Sequence, residues 1–147
     1  MKVIGLIGED PNDTSSIQHL LEKRYTNGIV FKKFAKGVKG AQLDSPKLKN
    51  ALRAELRTSN CHFILFVRDL DSFGTDHEKV KKRRLWFKEL SDLTGKSNLM
   101  LLNVWELEAL IFGDIATFNK LYNTSYKHSG DPSLIKDPKK VLMTISR

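Results

Sequence analysis

Cysteine is almost absent from this chain of 147 residues, which contains only Cys61. A single thiol excludes an internal disulfide, so the sequence predicts a protein of a reducing compartment with a buried, inert thiol. The four histidines are scattered and lack the spacing of a zinc site. Long apolar runs are also missing: Val3–Ile7 is far shorter than the roughly 20 residues that cross a bilayer. These absences predict a soluble, cytoplasmic protein without a membrane partner.

Positive charge is what the chain has in excess. Lys and Arg number 25 against 17 Asp and Glu, which gives a formal net charge of +8. A surface of this sign favours polyanionic partners such as nucleic acid or anionic lipid. At this length the chain can bury one core of ordinary size, so the default expectation is a single domain.

Short apolar runs alternate with helical patterns along the sequence. The runs that resemble strands are Val3–Ile7, Gly28–Phe34, Phe63–Val67 and Leu99–Val104. Helices are predicted between them, including one that Ser45 caps and Pro46 opens, and one over His77–Leu93. Right-handed crossovers then predict an α/β fold, with a central parallel four-stranded, Rossmann-like sheet and helices on both faces.

The C-terminal third is predicted to be less regular. Residues 1–113 are assigned to the α/β core, which ends in a helix that starts at Trp105, and residues 114–147 to a helical extension. Asp137 and Pro138 predict the cap and first turn of a last helix over Lys139–Ile145. The sequence stops within this pattern, which raises the expectation of a truncated C-terminal segment.

Acidic residues follow three of the four predicted strands. They are Glu9 with Asp13, Asp69 with Asp71, and Glu106 with Glu108. In a parallel sheet the carboxyl ends of the strands share one edge, where ligands usually bind. Like charges that are gathered there repel one another unless a cation neutralises them. Because the ligands offered are oxygens, without His or Cys nearby, the pattern predicts Mg²⁺ or Mn²⁺.

The spacing within each pair determines whether both of its carboxylates can face this site. Asp69 and Asp71 are two residues apart, so they point the same way if the chain is extended. In a helix, Glu106 and Glu108 would lie about 200° apart, so both can face the site only if residues 105–107 are extended. Simpler interpretations exist for single acids: Asp13 can cap a helix, and the Glu pair can favour a helix N-terminus.

Two of these motifs resemble a known family. Gly8-Glu9-x-x-x-Asp13 and Asp69-Leu-Asp71 look like the two signatures of the TOPRIM fold, which topoisomerases, primases and the overcoming-lysogenization-defect (OLD) nucleases share. Glu106-Leu-Glu108 is similar to the Glu-x-Glu stretch of OLD-like and small stand-alone TOPRIM-like proteins. The resemblance covers roughly residues 1–115. It departs after Glu9, where Asp10 replaces the usual glycine, and in length, since the chain is far shorter than any topoisomerase or ATPase-linked OLD protein, so no tyrosine-nucleophile or ATPase domain is expected.

The resemblance implies a metal-dependent nuclease, a role in phage defence and a protein partner encoded alongside. Its catalytic residues would be Glu9, Asp69 and Asp71. Its ligands for Mg²⁺ or Mn²⁺ would be Glu9, Asp13, Asp69, Asp71, Glu106 and Glu108.

Basic residues are predicted to hold the phosphate backbone. The predicted nucleic-acid-binding residues are Arg68, Lys79, Lys81, Lys82, Arg83 and Arg84. A second basic patch is formed by Lys32, Lys33, Lys36 and Lys39. Aromatic residues at stacking spacing are missing from both sets, so phosphate contacts are expected rather than base recognition. The simpler alternative for the first set is a solvated helix face.

Two other functions stay open at this point. A receiver-like phosphotransfer domain also gathers acids after its first and third strands, although no lysine follows the last strand here. A non-catalytic module of the antitoxin or assembly type would keep the fold and use its charge of +8 to bind nucleic acid.

Overall fold

A computed structural model describes residues 1–25, 27–95 and 97–147. In these ranges four strands alternate with five α-helices and three short 3₁₀ segments. The strands are β1 (Lys2–Gly8), β2 (Ile29–Lys33), β3 (Cys61–Asp69) and β4 (Leu99–Asn103). The α-helices are α1 (Pro11–Arg24), α2 (Pro46–Thr58), α3 (His77–Thr94), α4 (Ile115–Tyr122) and α5 (Pro138–Ile145). The 3₁₀ segments are Gly40–Asp44, Leu107–Asp114 and Pro132–Leu134.

The described strands form one all-parallel sheet in the order β2-β1-β3-β4. The predicted α/β fold with a central parallel sheet is therefore confirmed. The two interior strands carry the most buried apolar residues, among them Leu6, Ile64 and Phe66, each with 0% of its surface exposed. Strands that are covered on both faces are expected to be continuously apolar, which is why their positions could be predicted.

Helix caps explain two of the helix starts. Ser45 caps α2 with a side chain that accepts a hydrogen bond from the Lys47 amide, and Pro46 occupies the first turn, as predicted. If Asp13 capped helix α1, the helix would begin at Thr14, but it begins three residues earlier, at Pro11. Asp10 is its cap and accepts from the Asn12 amide at 2.7 Å, so Asp13 lies inside the first turn. Pro11 explains the shift, because its fixed φ favours the first helical position.

The segment after β4 differs from the predicted helix. Leu107–Asp114 is a 3₁₀ segment, and the α-helix begins only at Ile115. Asp114 caps this helix by accepting from the Thr117 amide at 3.2 Å. The α-helix therefore begins ten residues after Trp105, where the sequence predicted a helix to start.

The chain divides into two compact units. The first unit comprises residues 1–68 and 82–101, and the second comprises 69–81 and 102–147. This division runs through the predicted core and groups residues 102–113 with the C-terminal segment.

Each unit has a hydrophobic core of its own. In the first unit, Phe66 packs edge-on against Trp86 and Phe87, with ring centroids 5.7 and 5.8 Å apart. In the second, Phe112 and Phe118 cluster with Leu142 of α5. Among the described residues, no helix has both the length and the apolar character needed to cross a bilayer.

Candidate functional site

The carboxyl ends of β1 and β3 are adjacent in the first unit. Gly8 pairs with Val67 in the parallel register, and Glu9 and Arg68 follow them directly. A Cβ on Gly8 would lie 2.8 Å from the Thr14 side chain, so glycine is what lets α1 approach the strand end this closely. In an open sheet whose connections diverge from two adjacent strands, this edge is the usual place for a ligand site.

Arg68 is buried at this edge and holds two carboxylates. Its side chain is 2% exposed. Its Nε donates to Glu9, and its two terminal nitrogens donate to the Asp44 oxygens at 3.0 and 2.8 Å. The guanidinium lies over the ring of Trp86, 4.6 Å from the centroid, and the Trp86 indole donates to the Leu43 carbonyl. The planar guanidinium of Arg68 is therefore held at its edges by the two carboxylates and on one face by the Trp86 ring.

A second guanidinium balances the charge of this cluster. Arg83 lies 3.8 Å from both the Glu9 and the Asp44 carboxylates and is 13% exposed. The hydrogen bonds from Arg68 lower the pKa of the Asp44 carboxyl, against the burial that would raise it. Two cations thus face two carboxylates. We call Glu9, Asp44, Arg68 and Arg83 the arginine cluster.

The arginine cluster differs from what the sequence led us to expect of its members. Glu9 was predicted as a catalytic metal ligand, and in this structure its partner is Arg68. Arg68 was predicted to contact phosphate, yet its guanidinium is buried against Trp86. Asp44 was missed, because an acid just before the Ser45 cap carries no local signal of a partner on β3.

In the second unit, Asp69 ends β3 beside β4. One of its carboxylate oxygens accepts from the Asn103 side chain at 2.8 Å, and Asn103 is 6% exposed. The Leu70 amide donates to the Asn103 carbonyl at 2.9 Å. Asn103 was not predicted as a site residue, although a polar residue within an apolar strand was a signal that could have found it.

The chain turns sharply after Asp69. Asp71 has φ of 53°, and Trp105, which accepts its amide hydrogen bond, has φ of 60°. The Trp105 amide in turn donates to the Ser72 carbonyl at 3.0 Å. Because Asp71 is left-handed, the extended geometry that would point it the same way as Asp69 does not apply. Aspartate tolerates this conformation, whereas at Trp105 it costs about 1–3 kcal/mol, a strain that concentrates at functional sites.

Glu106 and Glu108 meet at one lysine of α5. Glu106 is extended, with φ of −140° and ψ of 164°, and its carboxylate accepts from the Lys139 amide at 3.3 Å. The Lys139 ammonium lies 3.5 Å from the Glu108 carboxylate. The chain is thus extended at Glu106. The two carboxylates contact the same residue, Glu106 through the neutral backbone amide and Glu108 through the ammonium.

The basic residues of α3 differ in exposure. Lys79, Lys81, Lys82 and Arg84 are exposed, whereas Arg83 belongs to the arginine cluster. The Lys79 ammonium donates to the Asp71 carbonyl at 2.8 Å. Exposed lysines and arginines on a helix are suited to phosphate contacts.

The acidic side chains described at these positions are not arranged as a metal site in this structure. Over residues 1–25, 27–95 and 97–147, no three side chains of His, Cys, Asp or Glu are grouped so that they could hold one. The oxygen donors at Asp69, Asp71, Glu106 and Glu108 have the chemistry that a hard cation prefers. A cation would therefore require side chains to leave their present positions.

No family model, curated protein or solved structure matches the chain significantly. The class that the fold defines is an α/β protein with a Rossmann-like, all-parallel four-stranded sheet.

Proposed function

We propose that this protein is a nuclease that depends on Mg²⁺ or Mn²⁺ and hydrolyses phosphodiester bonds of DNA or RNA. The observation that supports the proposal most lies in the second unit. There the segment after β3 runs beside the segment after β4, through the hydrogen bonds between Asp71, Ser72 and Trp105. The acids that follow these two strands are therefore carried by neighbouring segments, whose backbone is left-handed at Asp71 and strained at Trp105.

Asp69 and Asp71, with Glu106 or Glu108, would hold the cation. The chemistry that a cation held there would supply is activation of a water and stabilisation of the leaving oxygen of an in-line displacement. Glu9 and Asp13 stay predicted ligands. We assign Arg68 a different part, that of holding Glu9 and Asp44, because its donors already bind these carboxylates.

The nucleic acid would be held through its phosphates by the exposed residues of α3. These are Lys79, Lys81, Lys82 and Arg84. Phosphate contacts of this kind position a strand without reading its sequence. A nucleic-acid substrate and a single cysteine support a cytoplasmic location. A role in phage defence, with a protein partner, rests on the TOPRIM resemblance alone.

The test is Mn²⁺-dependent nicking of plasmid and of single-stranded DNA and RNA at low salt. Asp69→Asn should abolish cleavage, because it removes a carboxylate charge with little change in shape. Asp92→Asn is the matched control, since Asp92 is an exposed acid on α3 that pairs with Lys88. Equal activity of the two variants would contradict the proposed role of Asp69.

A non-catalytic nucleic-acid-binding module is the second candidate. It is favoured by the internal cations that two of the predicted ligands already contact: Arg68 binds Glu9, and the Lys139 ammonium lies beside Glu108. A binding module should retain its affinity for nucleic acid in Asp69→Asn and have no cleavage to lose. Measuring affinity in EDTA alongside cleavage in Mn²⁺ separates the two candidates.

A further inference from the structure

The first unit contains a cavity that the proposed function does not use. It has a volume of about 310 Å³ and lies beside the carboxyl ends of β1 and β2. Gly8, Pro11 and Thr14 line it on one side, and Phe34, Ala35 and Val38 on the other. Cavities that hold small ligands are roughly 300–1,000 Å³ in volume, mostly apolar, with a few converging polar groups. This cavity is at the small end of that range.

Two lysines bring positive charge to the cavity. Lys33 is half-buried, and its ammonium donates to the neutral Ser15 hydroxyl. Lys36 is exposed and also lines the cavity. Asp10 is the acid among the lining residues that the structure describes, and its carboxylate already accepts the Asn12 amide as the cap of α1. The charge that the cavity offers to a ligand is therefore positive.

The wall opposite α1 is apolar and conformationally strained. Phe34, Ala35 and Val38 are 5–6% exposed. Ala35 has φ of 53°, which L-residues other than Asn and Asp rarely adopt, and its amide donates to the Glu55 carboxylate at 2.9 Å. Strained backbone of this kind persists where the surroundings hold it and clusters at ligand sites. The wall can contact the apolar faces of a sugar or base.

We infer that this cavity binds a phosphate monoester, either the terminal phosphate of a nucleic-acid strand or a free mononucleotide. A monoester carries about −1.5 to −2 charges near pH 7, which matches two lysines better than the single charge of a diester does. A recess of this volume accommodates the end of a strand rather than its middle. Binding of a strand's terminal phosphate rests on the proposed function, whereas binding of a free mononucleotide does not.

The experiment compares oligonucleotides that differ only at one end. Each carries a fluorophore at the opposite end, and binding is followed by anisotropy in EDTA, so that cleavage does not interfere. One pair has a 5′-phosphate or a 5′-hydroxyl, and a second pair a 3′-phosphate or a 3′-hydroxyl. We expect one phosphorylated end to bind about tenfold more tightly than its hydroxyl counterpart, as added charge-assisted hydrogen bonds allow. Adenosine monophosphate, as competitor, should reduce that preference.

Substitutions connect the preference to the cavity. Lys33→Gln and Lys36→Gln should each remove most of the tenfold ratio. Lys32→Gln is the matched control, because Lys32 is the exposed neighbour on β2 and successive strand residues point to opposite faces. It should lower both affinities alike and leave their ratio unchanged. If the Lys33→Gln variant unfolds, Lys36→Gln still tests the cavity assignment, because Lys36 is exposed and its substitution should not affect folding.

The outcomes separate this inference from the proposed nuclease. The cavity assignment would be overturned if phosphorylated and hydroxyl ends bound with equal affinity and the nucleotide did not compete. It would also be overturned if Lys32→Gln reduced the affinity ratio as much as Lys36→Gln does. Neither result would bear on the proposed nuclease activity. Mononucleotide binding that requires Lys36, in a protein that neither binds nor cuts a strand, would uphold the cavity and overturn the nuclease.

Discussion

Arg68 has three partners in the first unit, and its removal should be costly. Arg68→Leu would leave the Glu9 and Asp44 carboxylates without the guanidinium that holds them. Breaking a buried ion pair by deleting one member costs about 3–5 kcal/mol, so we expect a loss near the lower bound because Asp44 is 40% exposed. Urea unfolding measures it. Arg84→Leu removes an exposed arginine of α3 and should change stability by less than about 0.5 kcal/mol.

The Asp44 carboxyl should make the fold sensitive to acid. Its hydrogen bonds from Arg68 lower its pKa in the folded state. A carboxyl of this kind stabilises the fold above its unfolded pKa, about 3.9, and that contribution is lost as the pH falls through the folded pKa. We expect the free energy of unfolding to decline below about pH 4, and to decline less in Asp44→Asn. Identical pH profiles for the two proteins would contradict the expectation.

Single residues were the hardest features to predict from the sequence. The positions of Glu9 and Arg68 after two adjacent strands followed from the apolar runs. Their contact with each other and with Asp44 did not, because an arginine that follows a strand can turn inward or outward. Asp44 is 24 residues from Arg68, and the partner became visible only when both elements were placed. Local pattern therefore located these residues, and tertiary packing decided their roles.

At the scale of elements, buried strands and proline-marked helix starts were predictable. β3 contains the continuous apolar run Phe63–Val67, and Ser45-Pro46 opens α2 as expected. The segment after β4 was not predictable, because an apolar stretch without periodic polar residues fits a 3₁₀ segment as well as an α-helix. The start of α1 was misplaced since two acids stood near it, and only the geometry distinguishes Asp10 from Asp13 as the cap.

The cap of α1 can be tested directly. Asp10→Ala removes the carboxylate that accepts the Asn12 amide and should cost about 1 kcal/mol of stability. Asn12→Ala is the control, because it keeps that backbone hydrogen bond and alters only an exposed side chain. Thermal unfolding of both variants gives the comparison. A loss in Asn12→Ala as large as that in Asp10→Ala would show that the side chain of Asp10 is not the cap that matters.

Helix α5 is linked to the predicted metal ligands by Lys139. Its ammonium lies beside the Glu108 carboxylate, so a divalent cation at this acid would have to compete with that charge. Its backbone amide donates to Glu106, a contact that a side-chain substitution leaves in place. Lys139→Met should therefore strengthen Mn²⁺ binding, measured by calorimetry. Lys140→Met removes the same charge from an exposed neighbour on α5 and should have a smaller effect. Equal gains in both variants would indicate a general charge effect instead of competition at Glu108.

For the whole molecule, the net charge of +8 and the exposed basic residues of α3 make different predictions about nucleic-acid binding. If only the overall charge matters, any three neutralised lysines or arginines should weaken binding equally. If α3 binds phosphates, replacing Lys81, Lys82 and Arg84 by Gln should also reduce the slope of log affinity against log salt, by about one for each phosphate that is no longer neutralised.

The matched control for this test is a triple variant with Lys47, Arg53 and Arg57 of α2 replaced by Gln, which removes the same three charges from another exposed helix. Anisotropy titrations in EDTA over a range of salt concentrations give both slopes. We expect a slope reduction of about two to three for the α3 variant and a much smaller one for the α2 variant. Counterion release depends on the phosphates that are neutralised and not on the distant net charge, so equal slopes would remove α3 from the interface.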